Sequence, residues 1–204
     1  MLPDWDFNIA PTTFQPVIRQ SRDTGSRELV LMRWGMIPFF TRQLSGVQGI
    51  STINAKAETL QTSPTWRASF KRRRCLVPAD GFYEWRQLDA RTRQPFAFHM
   101  ANNAPFAFAG LWDAWKAPGE SWLQSFSIVT TDANELMAPV HNRMPVILKP
   151  EDYERWLDRE NEQTPPVDLL RPFDAGRMAA APANPKVGNV RNNGPEMLNA
   201  TDDT

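Results

Sequence analysis

Apolar residues in this chain come in short runs dominated by aromatic and β-branched side chains, and most runs are closed by proline, glycine or an acid. Such runs suit half-buried strands. The pattern predicts strands over 27–34 (RELVLMRW), 74–80 (RCLVPAD), 81–87 (GFYEWRQ), 95–100 (PFAFHM), 105–115 (PFAFAGLWDAW), 125–132 (SFSIVTTD) and 143–148 (RMPVIL). Eighteen prolines favour short strands and loops over long helices. Three helices are predicted. The first covers 64–73, where Ser63 caps and Pro64 opens the first turn. The second covers 132–140, with Asp132 as cap and Pro139 near the end, and the third covers 150–158, with Pro150 and two acids in its first turn. There is no internal repeat and no heptad pattern. The expected architecture is α+β: a β-rich single domain over 1–198, with a curved, mainly antiparallel sheet system, a few short helices and a frayed tail over 199–204.

Composition narrows the class. The chain has 204 residues, 41% hydrophobic and 11% aromatic, which is enough apolar material for a buried core and argues against disorder. No apolar run approaches the ~18–20 residues that a membrane span needs, and the first residues lack the basic-then-apolar order of a signal peptide. The single cysteine, Cys75, cannot form an internal disulfide or a zinc cluster, so a cytoplasmic protein without metal or other cofactor is expected. Net charge is zero but unevenly spread: residues 1–100 carry 14 basic and 8 acidic side chains, residues 101–204 carry 9 and 15. Either the surface charge is arbitrary, or the first half offers a basic face to nucleic acid.

Four places can carry chemistry. His141, in PVHNRMPVIL, is one of two histidines; it is either a packed or capping residue or a proton-transfer group beside Arg143, which would suit an anionic substrate. Glu84 shares a strand face with Phe82. Over a concave site its pKa rises and it becomes a general acid or base; at an exposed edge it merely pairs with Arg86. Asn54, between STI and AKAETL, is either a helix N-cap or a fixed amide for a substrate, and Lys56 and Glu58 read as a solvated helix face. In LMRWGMIPFF, Trp34 suits the core, whereas Phe39 and Phe40 are either core or a stacking platform for unpaired bases.

The stretches FNIAPTT, RWGMIPFF, INAKAET, CLVPADGFYEW, PFAFAGLW, SIVTTDAN, VHNRMPVIL and VGNVRNNGPEM, in this order over roughly residues 7–198, resemble the SRAP (SOS-response-associated peptidase) family of abasic-site processing proteins. Singly each is weak; eight in order are specific. The resemblance implies a β-rich α+β domain with a positively charged groove, and a monomer that binds single-stranded DNA containing abasic sites. It implies that a cysteine directly after the initiator methionine condenses its α-amine with the sugar aldehyde and closes a thiazolidine ring with its thiol. The family's active-site asparagine, glutamate and histidine fall on Asn54, Glu84 and His141. Asn54 would hold the sugar, Glu84 would act near the α-amine, and His141 would move protons as the ring opens. Trp34 and Phe40 would stand at the bases, with Phe40 where a tryptophan is frequent. Lys56, where an arginine is usual, and Arg143 would clamp phosphates.

This sequence departs from the family at its start, which reads Met1-Leu2-Pro3 in place of Met-Cys-Gly-Arg. Cys75 cannot substitute, because its nitrogen lies in a peptide bond. The 204 residues by themselves are therefore expected to make no thiazolidine, and a late start codon is expected to explain the difference. The second class of function is a non-catalytic module binding single-stranded or junction DNA through the same groove.

Overall fold

Alternating burial makes the strands, and their ability to close on one another makes the fold. The computed structural model describes residues 6–42, 52–116, 119, 121–160 and 162–200. Expectations placed on Met1-Leu2-Pro3 and on 201–204 lie outside the described residues. Five strands form a closed ring: β1 (Phe14–Gln20), β2 (Arg27–Trp34), β4 (Arg74–Ala79), β7 (Phe106–Trp115) and β8 (Leu123–Asp132). β7 pairs with β4, β4 with β1, β1 with β2, β2 with β8, and β8 returns to β7. Closure removes the unpaired edges that an open sheet would expose. The pairing is mainly antiparallel, except that β2 and the short β3 (Asn54–Lys56) lie parallel to β8.

Gly110 lies on both β7 pairings, opposite Cys75 on β4 and Ile128 on β8. A Cβ there would meet the Cys75 Sγ at 2.7 Å, so only glycine permits this approach. A second, antiparallel sheet runs β5 (Gly81–Gln87), β6 (Arg93–Met100) and β11 (Met178–Pro182). One residue, Asp80, joins it to the barrel strand β4. Phe82 of β5 binds the two layers, with ring centroids 5.3 Å from Phe98 and 5.6 Å from Phe108.

The predicted 143–148 strand divides. β9 (Arg143–Pro145) pairs with β8 and β10 (Ile147–Leu148) with β7. Val146 bridges them, donating to the Val129 carbonyl and accepting from the Ala109 amide, both at 2.8 Å. The predicted 64–73 helix shortens to α1 (Arg67–Arg72), and 150–158 becomes one helical turn followed by α2 (Tyr153–Leu157). Arg74, 2% exposed, closes both helices by donating to the carbonyls of Phe70, Lys71, Trp156 and Asp158. Burial lowers its pKa to about 10.

The predicted 132–140 helix does not form. Asp132 ends β8, and Asn134 organises a turn instead: its Oδ1 accepts the Met137 amide at 2.9 Å and its Nδ2 donates to the Phe173 carbonyl at 2.9 Å. Pro139, which has no N–H, keeps the segment a connector between antiparallel neighbours. Strands β1, β3 and β11 carry little of the aromatic alternation that marks the others, so the hydrophobic pattern does not predict them.

Candidate active site

The candidate residues come from β3, the β8–β9 connection and β5. Ala55 is fully buried, so alternation turns its neighbours Asn54 and Lys56 outward together. Asn54 is a strand residue opposite Ile128, which excludes the N-cap reading. Trp34 fixes the approach to it: its indole N–H donates to the Ile53 carbonyl at 3.0 Å, and its ring stacks on Phe126. Trp34 thus packs on the core, as its composition suggested.

One turn of helix over Ala57–Thr59 follows β3 and presents Glu58. Its carboxylate accepts both Nη groups of Arg143, at 2.6 and 2.9 Å. The same guanidinium donates to Asp132 at 3.0 Å and to the Thr130 carbonyl at 2.7 Å. Hydrogen bonding to Arg143 holds the Glu58 carboxyl below its usual range, and the same bond raises the arginine. Glu58 is therefore a tie between β3 and β9, which a solvated helix face did not anticipate. The sequence reads Glu58 as a solvated face and Asp132 as a helix cap, because their shared role at Arg143 appears only when β9 folds back on β8.

His141 is exposed, and its ring is oriented by the backbone of Arg143: Nδ1 lies 3.1 Å from both the amide nitrogen and the carbonyl oxygen of that residue. When Nδ1–H donates to the Arg143 carbonyl, a neutral imidazole keeps its free lone pair on Nε2 and can accept a proton there. Glu84 comes from the other sheet. It is half-buried on the Phe82 side of β5, and burial raises its pKa. The His141 charge and the Trp85 amide lower it, by less. Arg86 lies 5.0 Å from the centre of the Phe96 ring, and among the described residues it makes no ion pair with Glu84. The structure thus sets an acid whose charged form burial disfavours within electrostatic reach of an imidazole held by the Arg143 backbone. Two such groups across an open surface suit proton transfer to and from a bound molecule.

Phe39 and Phe40 stand further along, 59% and 51% exposed, with rings edge to face at 5.4 Å. Gly35, at φ 105°, turns the chain out of β2 towards them. The loop is pinned through its backbone: Ile37 N–H to Ser125 Oγ at 2.8 Å, Phe39 N–H to Asp113 at 3.0 Å, and the Trp115 indole to the Thr41 carbonyl at 2.6 Å. With the backbone pinned and both rings exposed, Phe39 and Phe40 are not core residues. Cys75, by contrast, is fully buried and its thiol is pushed up by desolvation, which removes it as a nucleophile. Among the described residues no three His, Cys, Asp or Glu side chains cluster to hold a metal, and no helix is long and apolar enough to cross a membrane.

Comparison with known proteins adds a family. The family described as SOS response associated peptidase (SRAP) matches residues 3–190. The abasic site processing protein YoqW of Bacillus subtilis is 38% identical over 193 residues, covering 94% of this chain and 84% of its own. The abasic site processing protein HMCES of Mus musculus is 30% identical over 244 residues, covering 98% and 69%. A crystallised protein of Bacteroides thetaiotaomicron superposes with a TM-score of 0.82 at 28% identity, over 93% of this chain and 82% of that one.

Proposed function

Because the chain belongs to the SRAP family, we propose that it processes abasic sites in single-stranded DNA on the surface shared by Asn54, Glu84 and His141. The observation that carries this reading is the electrostatic contact of Glu84 on β5 with His141 in the β8–β9 connection, with the Glu84 carboxyl shifted towards its neutral form by burial. An abasic sugar must open to its aldehyde before an amine can condense with it. That needs a donor for the departing ring oxygen and an acceptor for the hydroxyl proton. Protonated Glu84 supplies the first and neutral His141 the second, and the roles reverse when the adduct dissociates. Asn54, whose amide no group among the described residues engages, holds the sugar hydroxyl. Phe40 stacks on a flanking base, and Lys56 offers a charge to phosphate. Arg143 reaches a phosphate only by exchanging Glu58 for it.

The covalent step in this reading belongs to a cysteine α-amine directly after an initiator methionine. The amine attacks the aldehyde carbon, water leaves as the imine forms, and the thiol adds to the imine carbon. Cys75 does not meet that requirement. Peptide hydrolysis, in this reading, is confined to removing residues ahead of such a cysteine, and β-elimination from an uncyclised imine gives a weak lyase activity.

The test mixes protein with an oligonucleotide carrying one abasic site and resolves the products on a denaturing gel. Residues 1–204 alone are expected to give a band only after borohydride trapping. The same chain behind a Met-Cys-Gly-Arg segment of the family's kind should give a heat-stable band. Heat-stable crosslinking by residues 1–204 alone would overturn the cysteine assignment. Failure of both proteins to prefer abasic over intact single strands would favour the non-catalytic binding module.

A further inference from the structure

The Phe39–Phe40 loop borders a cleft of about 430 Å3 lined by Phe39, Lys71, Arg72, Arg73 and Glu162, and by none of Asn54, Glu84 or His141. The cations come from the end of α1, whose other face buries Ser69 and Phe70 in the core and so turns Lys71 and Arg72 to solvent. Arg72 meets Glu162 at 2.6 Å in an exposed pair. Arg73 is held by its surroundings: its Nε is 3.3 Å from buried Asp113, out of line for a hydrogen bond, and its Nη2 donates to Ser69 Oγ at 3.4 Å. Its guanidinium carbon lies 6.0 Å from the centre of the Phe39 ring. Lys71 has no acidic partner among the described residues. Three adjacent cations thus meet two acids, exposed Glu162 and buried Asp113, and the excess positive charge, on Lys71, is one that an anion relieves.

The cleft connects to the candidate active site through the Phe39–Phe40 loop. That loop leaves β2 beside Asn54, with the Met36 N–H donating to the Thr52 carbonyl at 3.1 Å, and it ends on Asp113, which holds the Phe39 amide and stands beside Arg73. Asn54 pairs with Ile128 and Asp113 with Ser125, three residues apart on β8 and so on opposite faces of the sheet, which leaves the loop as the link between the two surfaces. Trp122, 67% exposed with the Lys116 ammonium 5.9 Å from its ring centre, lies at the same end, since Trp115 binds Thr41 and pairs with Leu123. Exposed aromatic rings alternating with cations match the chemistry of a single nucleic-acid strand, whose bases stack while its phosphates seek positive charge.

We propose that the Phe39–Lys71–Arg72–Arg73 cleft is a second subsite, which takes the phosphates of the single-stranded DNA leading away from the abasic site. This rests on the function proposed above, but it concerns binding and needs no chemistry. The test measures anisotropy of the protein with a short thymidine oligonucleotide centred on a tetrahydrofuran abasic analogue, and with the same oligonucleotide lengthened by about six nucleotides at the 5′ or the 3′ end. Undamaged strands of equal length run in parallel. One extension should tighten binding, and Lys71→Gln with Arg72→Gln should remove that gain by about tenfold while leaving the short oligonucleotide unaffected. The salt dependence for the long strand should flatten by roughly 0.7 in log–log slope for each phosphate that the variant no longer neutralises. A gain that persists in the double variant, or no gain from either extension, overturns the subsite. Loss of preference for the abasic analogue with the gain intact instead overturns the abasic-site reading and leaves the subsite standing.

Discussion

Two carboxylates of this protein, Asp113 and Glu84, are both shifted towards their protonated forms by burial, yet they have opposite surroundings. Asp113 is 3% exposed and accepts the Phe39 and Ala114 amides at 3.0 and 2.8 Å with Arg73 beside it. Glu84 is half-buried, and among the described residues only the His141 charge and the Trp85 amide favour its ionised form. Desolvation alone therefore does not mark a reactive group. A buried acid surrounded by donors anchors structure, here the loop that carries Phe39 and Phe40. A desolvated acid left with one titratable neighbour is free to exchange a proton.

The sharpest break of that comparison is chemical. In a protein that carries the N-terminal cysteine, Glu84→Gln and His141→Ala should slow adduct formation or reversal by about 100- to 10,000-fold, timed on denaturing gels. Asp113→Asn should leave the chemistry of a short abasic oligonucleotide within a few-fold of wild type. An equal loss in all three variants would remove the distinction between the two acids.

Stability should divide the other way. Asp113→Ala strands two backbone donors and Arg73 and is expected to cost about 2–4 kcal/mol in urea unfolding. Retention of full stability would show the anchoring role to be wrong. Phe40→Ala tests what the anchored loop presents. Stacking predicts a loss of ~1–3 kcal/mol in binding to single strands with an unchanged melting temperature. A core residue would instead cost ~3–5 kcal/mol of stability with the affinity of the folded fraction intact.

The smallest effect concerns pH. A carboxyl whose pKa is raised by folding binds its proton more tightly in the native state, so stability falls as pH rises from the unfolded value through the folded one. Glu84→Gln removes this contribution. The variant should match wild type below the ordinary carboxylate pKa of 4.5 and exceed it in stability at neutral pH, read from urea unfolding across that range. A difference independent of pH would mean that Glu84 is ionised without cost, and would weaken its role as a proton donor.

Much of the fold was legible locally. Runs such as RELVLMRW and GFYEWRQ contain their own strand signal, because alternation and β-branched or aromatic content act between near neighbours. The same alternation put Glu84 on the face of Phe82 and gave it a reason to titrate high. Residues 132–140 misled, since Asp132 and Asn134 are both good caps and only the Phe173 carbonyl, which engages Asn134, selects the turn. The eight ordered motifs identified the family and singled out Asn54, Glu84 and His141 as candidates.

What tertiary structure alone decided is which distant groups meet. The parallel pairing of β2 with β8 closes the barrel, the tie of Arg143 to Glu58 fixes β9 against β3, and Lys71, Arg72 and Arg73 converge beside Phe39. Local propensity cannot encode these meetings. They follow from burying Met32, Phe108 and Phe126 in one core, and the polar partners are then brought together by the strands that core aligns.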